Sequence, residues 1–155
     1  MILLLRVDHR LLHGQVAFAW TNTIGADCIL IANNDVVNDE VRKTTMKLAK
    51  PAGCKLVIKN IEDSIAAISE GKTDKYKLLI VVESVKDAYE IAKACKIASI
   101  NLGGTKVREG TRNVSKVINL TAEEEDLLEE LQKENVEIEI RQVPNDKKII
   151  YKREK

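Results

Sequence analysis

The chain predicts an α/β fold: a single-domain, open, mostly parallel β-sheet flanked by helices on both faces. Three observations lead there. Runs such as Ile29-Leu30-Ile31 and Leu78-Leu79-Ile80-Val81-Val82 are apolar without a break, the pattern of strands buried on both faces. These runs alternate with longer segments of helical period, the order of repeated βα units joined by right-handed crossovers. At 155 residues, with 45% hydrophobic and 32% charged side chains, the chain suits one domain spanning residues 1–155.

Strands are expected at Ile2–Val7, Cys28–Ala32, Lys55–Lys59, Lys77–Val82, Ile97–Leu102, Lys116–Asn119 and Val136–Gln142. Helices fill the gaps between them. The first, Gly14–Ile24, carries Val16, Trp20 and Ile24 on one stripe, and Trp20 with Phe18 reads as core or interface. The second, Asp39–Ala49, stops near Pro51, and the third, Ile61–Ser69, ends at Gly71. The fourth, Ser84–Ala94, starts on the N-cap Ser84 with Asp87 at the capping-box distance. The last, Ala122–Glu134, is capped by Thr121 and buries Leu127, Leu128 and Leu131. Its acidic start, Glu123-Glu124-Glu125-Asp126, favours the helix dipole and reads as a solvated face, not a catalytic pair. In the charged tail Asp146–Lys155, Ile149-Ile150-Tyr151 is a short final strand or a docking arm.

Composition removes several classes of function. The net charge of +1 gives no field toward nucleic acid, and 3% aromatic residues leave no stacking platform for single strands. Cys28, Cys54 and Cys95 form no C-x-x-C pair, so neither a metal knuckle nor a redox dithiol is expected; they read as buried thiols of a reducing, cytoplasmic compartment. No metal and no cofactor are called for. The apolar start is interrupted by Arg6 and Asp8, too soon for a signal peptide, and no run of about 18 apolar residues follows.

In open parallel sheets ligands bind beyond the carboxyl ends of the strands. That rule selects the loops Asp8–Gly14, Asn33–Val37 and Gly103–Gly110. The first holds both histidines of the chain. His13 stands just before Gly14, where the first helix begins. Free backbone N–H groups and the positive end of a helix dipole favour an anion there. A neutral imidazole at that point is a nucleophile toward a phosphoryl group, and Arg10 offers a fork of donors for phosphate oxygens. Asp8 can orient an imidazole N–H or Arg10, although a plain loop cap is an equal reading. Gln15 lies in the first helical turn and either caps it or touches phosphate. His9, between Asp8 and Arg10, reads as solvent-facing. Asn101-Leu102-Gly103-Gly104-Thr105 has glycines that permit positive φ and converging N–H groups; it fits neither the P-loop nor the dinucleotide spacing, and a tight turn is its default reading.

The segment Arg6-Val7-Asp8-His9-Arg10-Leu11-Leu12-His13-Gly14-Gln15-Val16, followed by Trp20, resembles the N-terminal signature of the IIB components of the mannose/fructose/sorbose class of phosphoenolpyruvate-dependent sugar phosphotransferase systems (PTS). The Asn101-Leu102-Gly103-Gly104 and Arg141-Gln142-Val143-Pro144 stretches are similar to family features, and the likeness runs over essentially the whole chain. The resemblance implies a phosphocarrier. His13, the histidine before Gly-Gln, would take a phosphoryl group from a phosphohistidine of the IIA protein. It would pass the group to a sugar entering through the membrane IIC and IID subunits. Arg10 and Asp8 would assist; Gly14, Gln15, Asn101, Gly103 and Gly104 would bind phosphate; His9 inherits no role. Mannose, fructose, sorbose and amino sugars are all compatible substrates, and a homo-oligomer is allowed. The length of the chain suggests a separate IIA polypeptide, with another gene arrangement left open, and the likeness implies a cytoplasmic place at the membrane permease. The alternatives are a phosphate-metabolite enzyme, for which no base or second pocket is seen, and a non-catalytic phosphate- or protein-binding regulatory relative.

Overall fold

The computed structural model describes residues 1–154. The order of elements is β1 (Ile2–Asp8), α1 (Gly14–Ile24), β2 (Cys28–Ala32), a 3₁₀ turn (Val36–Asn38), α2 (Glu40–Ala49), β3 (Lys55–Lys59), α3 (Ile61–Ser69), β4 (Leu78–Val82), α4 (Val85–Cys95), β5 (Ser99–Gly104), β6 (Thr111–Ser115), β7 (Ile118–Thr121), α5 (Ala122–Lys133), β8 (Glu137–Ile140) and β9 (Ile149–Ile150). One sheet of seven strands runs β3-β2-β4-β1-β5-β8-β9, and β6-β7 form a separate hairpin. Every pairing in the large sheet is parallel except β8 with β9.

The uninterrupted apolar runs are explained by burial on both sides. Alternate residues of each strand enter different cores. Leu30, Ile80, Val82 and Leu5 face Ile61, Val85, Ala88, Ile91, Leu128 and Leu131 of α3, α4 and α5. Ile29, Ile31, Leu79, Val81 and Leu4 face Ala17 and Trp20 of α1 and Met46 of α2. The expectation of helices on both faces therefore holds. The second core takes no residue from β5 or β8, so the α1-side face of those strands is free to carry Asn101 and Glu139. Asp39, Asn60, Ser84 and Thr121 cap α2, α3, α4 and α5 with their side chains, and Thr121 with Glu124 completes a capping box.

The connection after β1 runs through α1 toward β2, on one side in the sheet order. The chain leaving β5 runs through the hairpin and α5 to β8, on the other side. The adjacent pair β1 and β5 is therefore the switch point, whose carboxyl ends open the crevice of such sheets.

Several expectations need correction. The expected strand Lys116–Asn119 lies two residues later as β7, and its partner β6, polar in sequence, was not foreseen. Gly103 and Gly104 are not in a loop or a positive-φ turn; both are strand residues at the end of β5. The run Glu123–Asp126 is not simply solvated. Glu124 pairs with Arg108 at 2.7 Å, and Glu125 is wholly engaged by Arg112 at 2.6 and 2.9 Å and by the Tyr151 hydroxyl at 2.5 Å. Burial would raise the Glu125 pKa, but those donors and the nearby charges hold it below its ordinary value. Ile149-Ile150 is the short final strand, with Tyr151 buried behind it. Cys28 and Cys54 are buried free thiols and Cys95 half-buried, each pushed up in pKa mainly by burial.

Candidate phosphoryl-transfer site

The loop after β1 is held at both ends and in its middle. Leu11 N–H donates to the Asp8 carbonyl at 2.9 Å, closing a tight turn. Leu11 has φ of 58°, a left-handed conformation that costs a non-glycine residue about 1 kcal/mol. Its side chain and that of Leu12 are buried in the α1-side core, which fixes the strained turn. The chain then enters α1 through His13, whose φ of −146° and ψ of 127° make it the N-cap. Gly14, with φ of +33° and open space where a Cβ would stand, follows it.

Asp8 is the hub. Its carboxylate is fully buried, and its hydrogen bonds are to β1 and the loop that follows it. Oδ2 faces Nε2 of His13 at 2.9 Å and accepts from Nη2 of Arg6 at 3.1 Å. Oδ1 accepts from the Arg10 backbone N–H at 3.0 Å, with the Arg10 Nε 3.6 Å away. Burial alone would raise the carboxyl pKa. The hydrogen bonds from His13 and Arg10 and the charge of Arg6 outweigh it and hold the group at about 2. An ionised carboxylate only accepts, so Nε2 of His13 carries the proton. In the neutral ring Nδ1 then keeps its lone pair, and it makes no hydrogen bond with the described residues. The ring is about a quarter exposed. Beside it, α1 has no side-chain cap and no acid in its first turn, so its leading N–H groups and dipole are free for an anion.

The residues expected here divide into two groups. His13, Asp8, Arg10, Gly14 and Gln15 are together, and Arg10, Gly14 and Gln15 are exposed around the ring. Asn101, Gly103 and Gly104 are buried beneath it. Asn101 has both ends of its amide engaged, accepting from Arg6 Nη1 at 2.7 Å and donating to the Arg141 carbonyl at 3.1 Å. Gly104 gives its carbonyl to the His9 N–H at 3.0 Å. These three therefore do not form the anion-facing nest that their glycines suggested. His9 is half-buried, not solvent-facing, and its Nδ1 is buried without a partner. The loop Asn33–Val37 contributes nothing to the cluster; Asn33 Oδ1 caps the 3₁₀ turn through the N–H groups of Asp35 and Val36, both at 2.9 Å.

Sequence reading missed Arg6 and Arg141 as parts of the site. Arg6, 3% exposed, lies between Asp8 and Asn101, and its guanidinium carbon is 5.3 Å from the centroid of the buried Trp20 ring. Arg141 lies 5.0 Å from the same centroid, and Trp20 Nε1 donates to the Gln142 carbonyl at 2.9 Å. The available signal was periodicity: in β1, Arg6 and Asp8 share a face. Among the described residues no three His, Cys, Asp or Glu side chains converge as a metal ion would require.

The fold has counterparts among known proteins. The family model described as "PTS system sorbose subfamily IIB component" matches residues 2–152. The chain is 32% identical over 146 residues to the sorbose-specific EIIB component of Klebsiella pneumoniae, covering 94% of this chain and 89% of that one. It is 31% identical over 147 residues to the sorbose-specific EIIB component of Lacticaseibacillus casei, covering 94% and 90%. The crystal structure of the IIBSor domain of the K. pneumoniae sorbose permease superposes with a TM-score of 0.90 at 31% identity, over 96% of this chain and 92% of that domain. The chain belongs to the sorbose-type IIB family of the PTS, a family of phosphotransferase components in sugar transport. No helix among the described residues is long and apolar enough to cross a membrane.

Proposed function

We propose that this chain is a phosphocarrier whose acceptor atom is Nδ1 of His13. One observation carries the reading. The 2.9 Å contact of Nε2 with the buried Asp8 carboxylate leaves the Nδ1 lone pair open beside the uncapped start of α1. In the forward step Nδ1 attacks the phosphorus of a phosphohistidine on the IIA protein. The donor's N–P bond breaks and its electron pair returns to the donor ring. The new N–P bond makes His13 a cation shielded by Asp8, and the phosphoryl oxygens lie toward the N–H groups of Gly14 and Gln15 and the Arg10 guanidinium. In the second step the oxygen of a sugar hydroxyl presented by the membrane IIC and IID subunits attacks the phosphorus, the Nδ1–P bond breaks with its electron pair returning to the His13 ring, the hydroxyl proton leaves on the phosphate ester, and His13 returns to its neutral state. Catalysis is positioning and charge stabilisation throughout.

The surface beside His13 supports a protein donor. Phe18 is 56% and Leu48 84% exposed, and with Gly14, Gln15 and Pro51 they line a shallow depression rather than a closed pocket. Exposed apolar side chains around a reactive group suit a transient interface that must form twice per cycle. The place of action is the cytoplasmic face of the membrane, at the permease.

The test is phosphorylation of the purified chain by phosphorylated IIA, comparing wild type with His13→Ala and His9→Ala. The expected result is an acid-labile, alkali-stable phosphate that disappears only in His13→Ala. Label lost in His9→Ala but kept in His13→Ala moves the acceptor to His9. A folded wild type that takes up no label from a cognate IIA refutes the carrier reading.

A further inference from the structure

The carboxyl ends of β1, β5 and β8 share a buried polar ladder whose inner members, Arg6, Asn101 and the Arg141 carbonyl, the reaction just described does not use. It runs from His13 to Asp8, from Asp8 to Arg6, from Arg6 to Asn101, and from Asn101 to the Arg141 carbonyl. Arg6 is its centre. Nη2 donates to Asp8, Nη1 donates to Asn101 Oδ1 at 2.7 Å, and the Arg141 carbonyl lies 3.3 Å from the same Nη1. The guanidinium also packs directly against Gly103, where any Cβ would collide with it. Trp20 stands over it.

This construction is costly for a structural role alone. Burial lowers the Arg6 pKa despite the neighbouring Asp8, a sign that the charge is poorly solvated. Buried ion pairs add little net stability, because desolvation offsets their attraction. What Arg6 does supply is direction. Of the three donors on the Asp8 carboxylate, the His13 ring and the Arg10 N–H belong to the loop and move with it. Only the Arg6 guanidinium comes from the sheet. The carboxylate in turn decides which nitrogen of His13 holds the proton.

We infer that Arg6 is a positioning residue for phosphoryl transfer, and that Asn101 and Gly103 serve the reaction by caging Arg6 and not by touching phosphate. The cage holds Asp8 Oδ2 against Nε2 and so keeps Nδ1 of His13 unprotonated. The inference rests on the carrier reading for its kinetic consequence, but its tautomeric consequence is independent of it.

The experiment pairs two variants that reach Arg6 from different sides: Asn101→Leu removes the acceptor, and Gly103→Ala pushes the guanidinium out. Asn101→Ser, smaller and still polar, is the milder variant if either fails to fold. Ring ¹⁵N NMR of the unphosphorylated protein reads the His13 tautomer, and rapid-quench uptake from phosphorylated IIA reads the rate. Wild type is expected as the Nε2–H form. The variants are expected to populate the Nδ1–H form and to lose maximal single-turnover rate on the order of a hundredfold, at unchanged half-saturating donor concentration. Variants that unfold more easily but keep the wild-type tautomer and rate overturn the inference. If wild-type His13 takes no label, the carrier reading fails, while the tautomer shift still decides for or against the cage.

Discussion

Replacing Asp8 by Asn tests the electrostatics of the site directly. The substitution keeps the shape but removes the charge that three donors converge on, and turns an amide NH₂ toward some of them. It leaves the buried Arg6 without its counter-ion, a loss of about 3 kcal/mol of stability at neutral pH for a broken buried pair. The pH dependence is the sharper readout. The Asp8 carboxyl sits at about 2 in the folded protein against an ordinary value of 3.8. A folded-state pKa below the unfolded one means stability that is fully present above the unfolded value and lost as pH falls through the folded one. A depression of this size is worth about 2 kcal/mol, and no discount for exposure applies because the side chain is fully buried. Urea unfolding of wild type and Asp8→Asn should therefore give curves that converge by about 2 kcal/mol between pH 5 and pH 2. The other carboxylates titrate in both proteins and drop out of the difference. A gap that stays constant over that window would refute the account of Asp8 as an ionised hub.

Two further outcomes follow from the surface and from the tail. Phe18→Ala with Leu48→Ser should raise the half-saturating concentration of phosphorylated IIA about tenfold, the effect of about 1.4 kcal/mol of lost contact, while the maximal transfer rate stays at the wild-type value. Stopped-flow or quench titrations separate the two; a fall in maximal rate instead would place these residues in the chemistry. Glu125→Gln should cost about 2 kcal/mol, the worth of hydrogen bonds to a buried charge, and should speed amide exchange at Tyr151, whose N–H is bonded to Ile138. Exchange at Tyr151 that is unchanged would show that β9 is held without Glu125.

The parts of the fold that were legible in the sequence are those whose causes are local. Double-sided burial writes itself into β2 and β4 as unbroken apolar runs, and the capping residues of α4 and α5 stand where their helices begin. The parts that were not legible depend on partners far along the chain. An acidic run at a helix start looks the same whether solvated or paired. That Glu124 and Glu125 are paired follows from Arg108, just before a polar hairpin, and Arg112, on its first strand, which has no apolar pattern to announce it. The site divides in the same way. His13, Gly14 and Arg10 were visible because one loop holds them together. The turn reading of Gly103 failed because its lack of a side chain serves no turn of its own chain; it lies in β5, where a Cβ would collide with the Arg6 guanidinium from β1.

The proposed carrier role makes two demands that oppose each other, and the site can answer them in separate layers. It must hold the imidazole in one tautomer and one orientation, which calls for buried, fully engaged polar groups. It must also meet two different partners, which calls for an open surface and few specific contacts. Below the ring, Asp8, Arg6, Asn101 and Gly103 are buried on adjacent strands of a sheet packed on both faces, so they cannot easily rearrange when the partner changes. Above it, Gly14, Gln15, Arg10 and Phe18 are exposed and can offer backbone N–H groups, a solvent-facing charge and apolar surface, none of which demands a particular donor shape. The boundary between the layers is the imidazole itself, with Nε2 committed to the rigid side and Nδ1 to the exchanging one. Substitutions below that boundary should change the rate with either partner alike, and substitutions above it should separate the two.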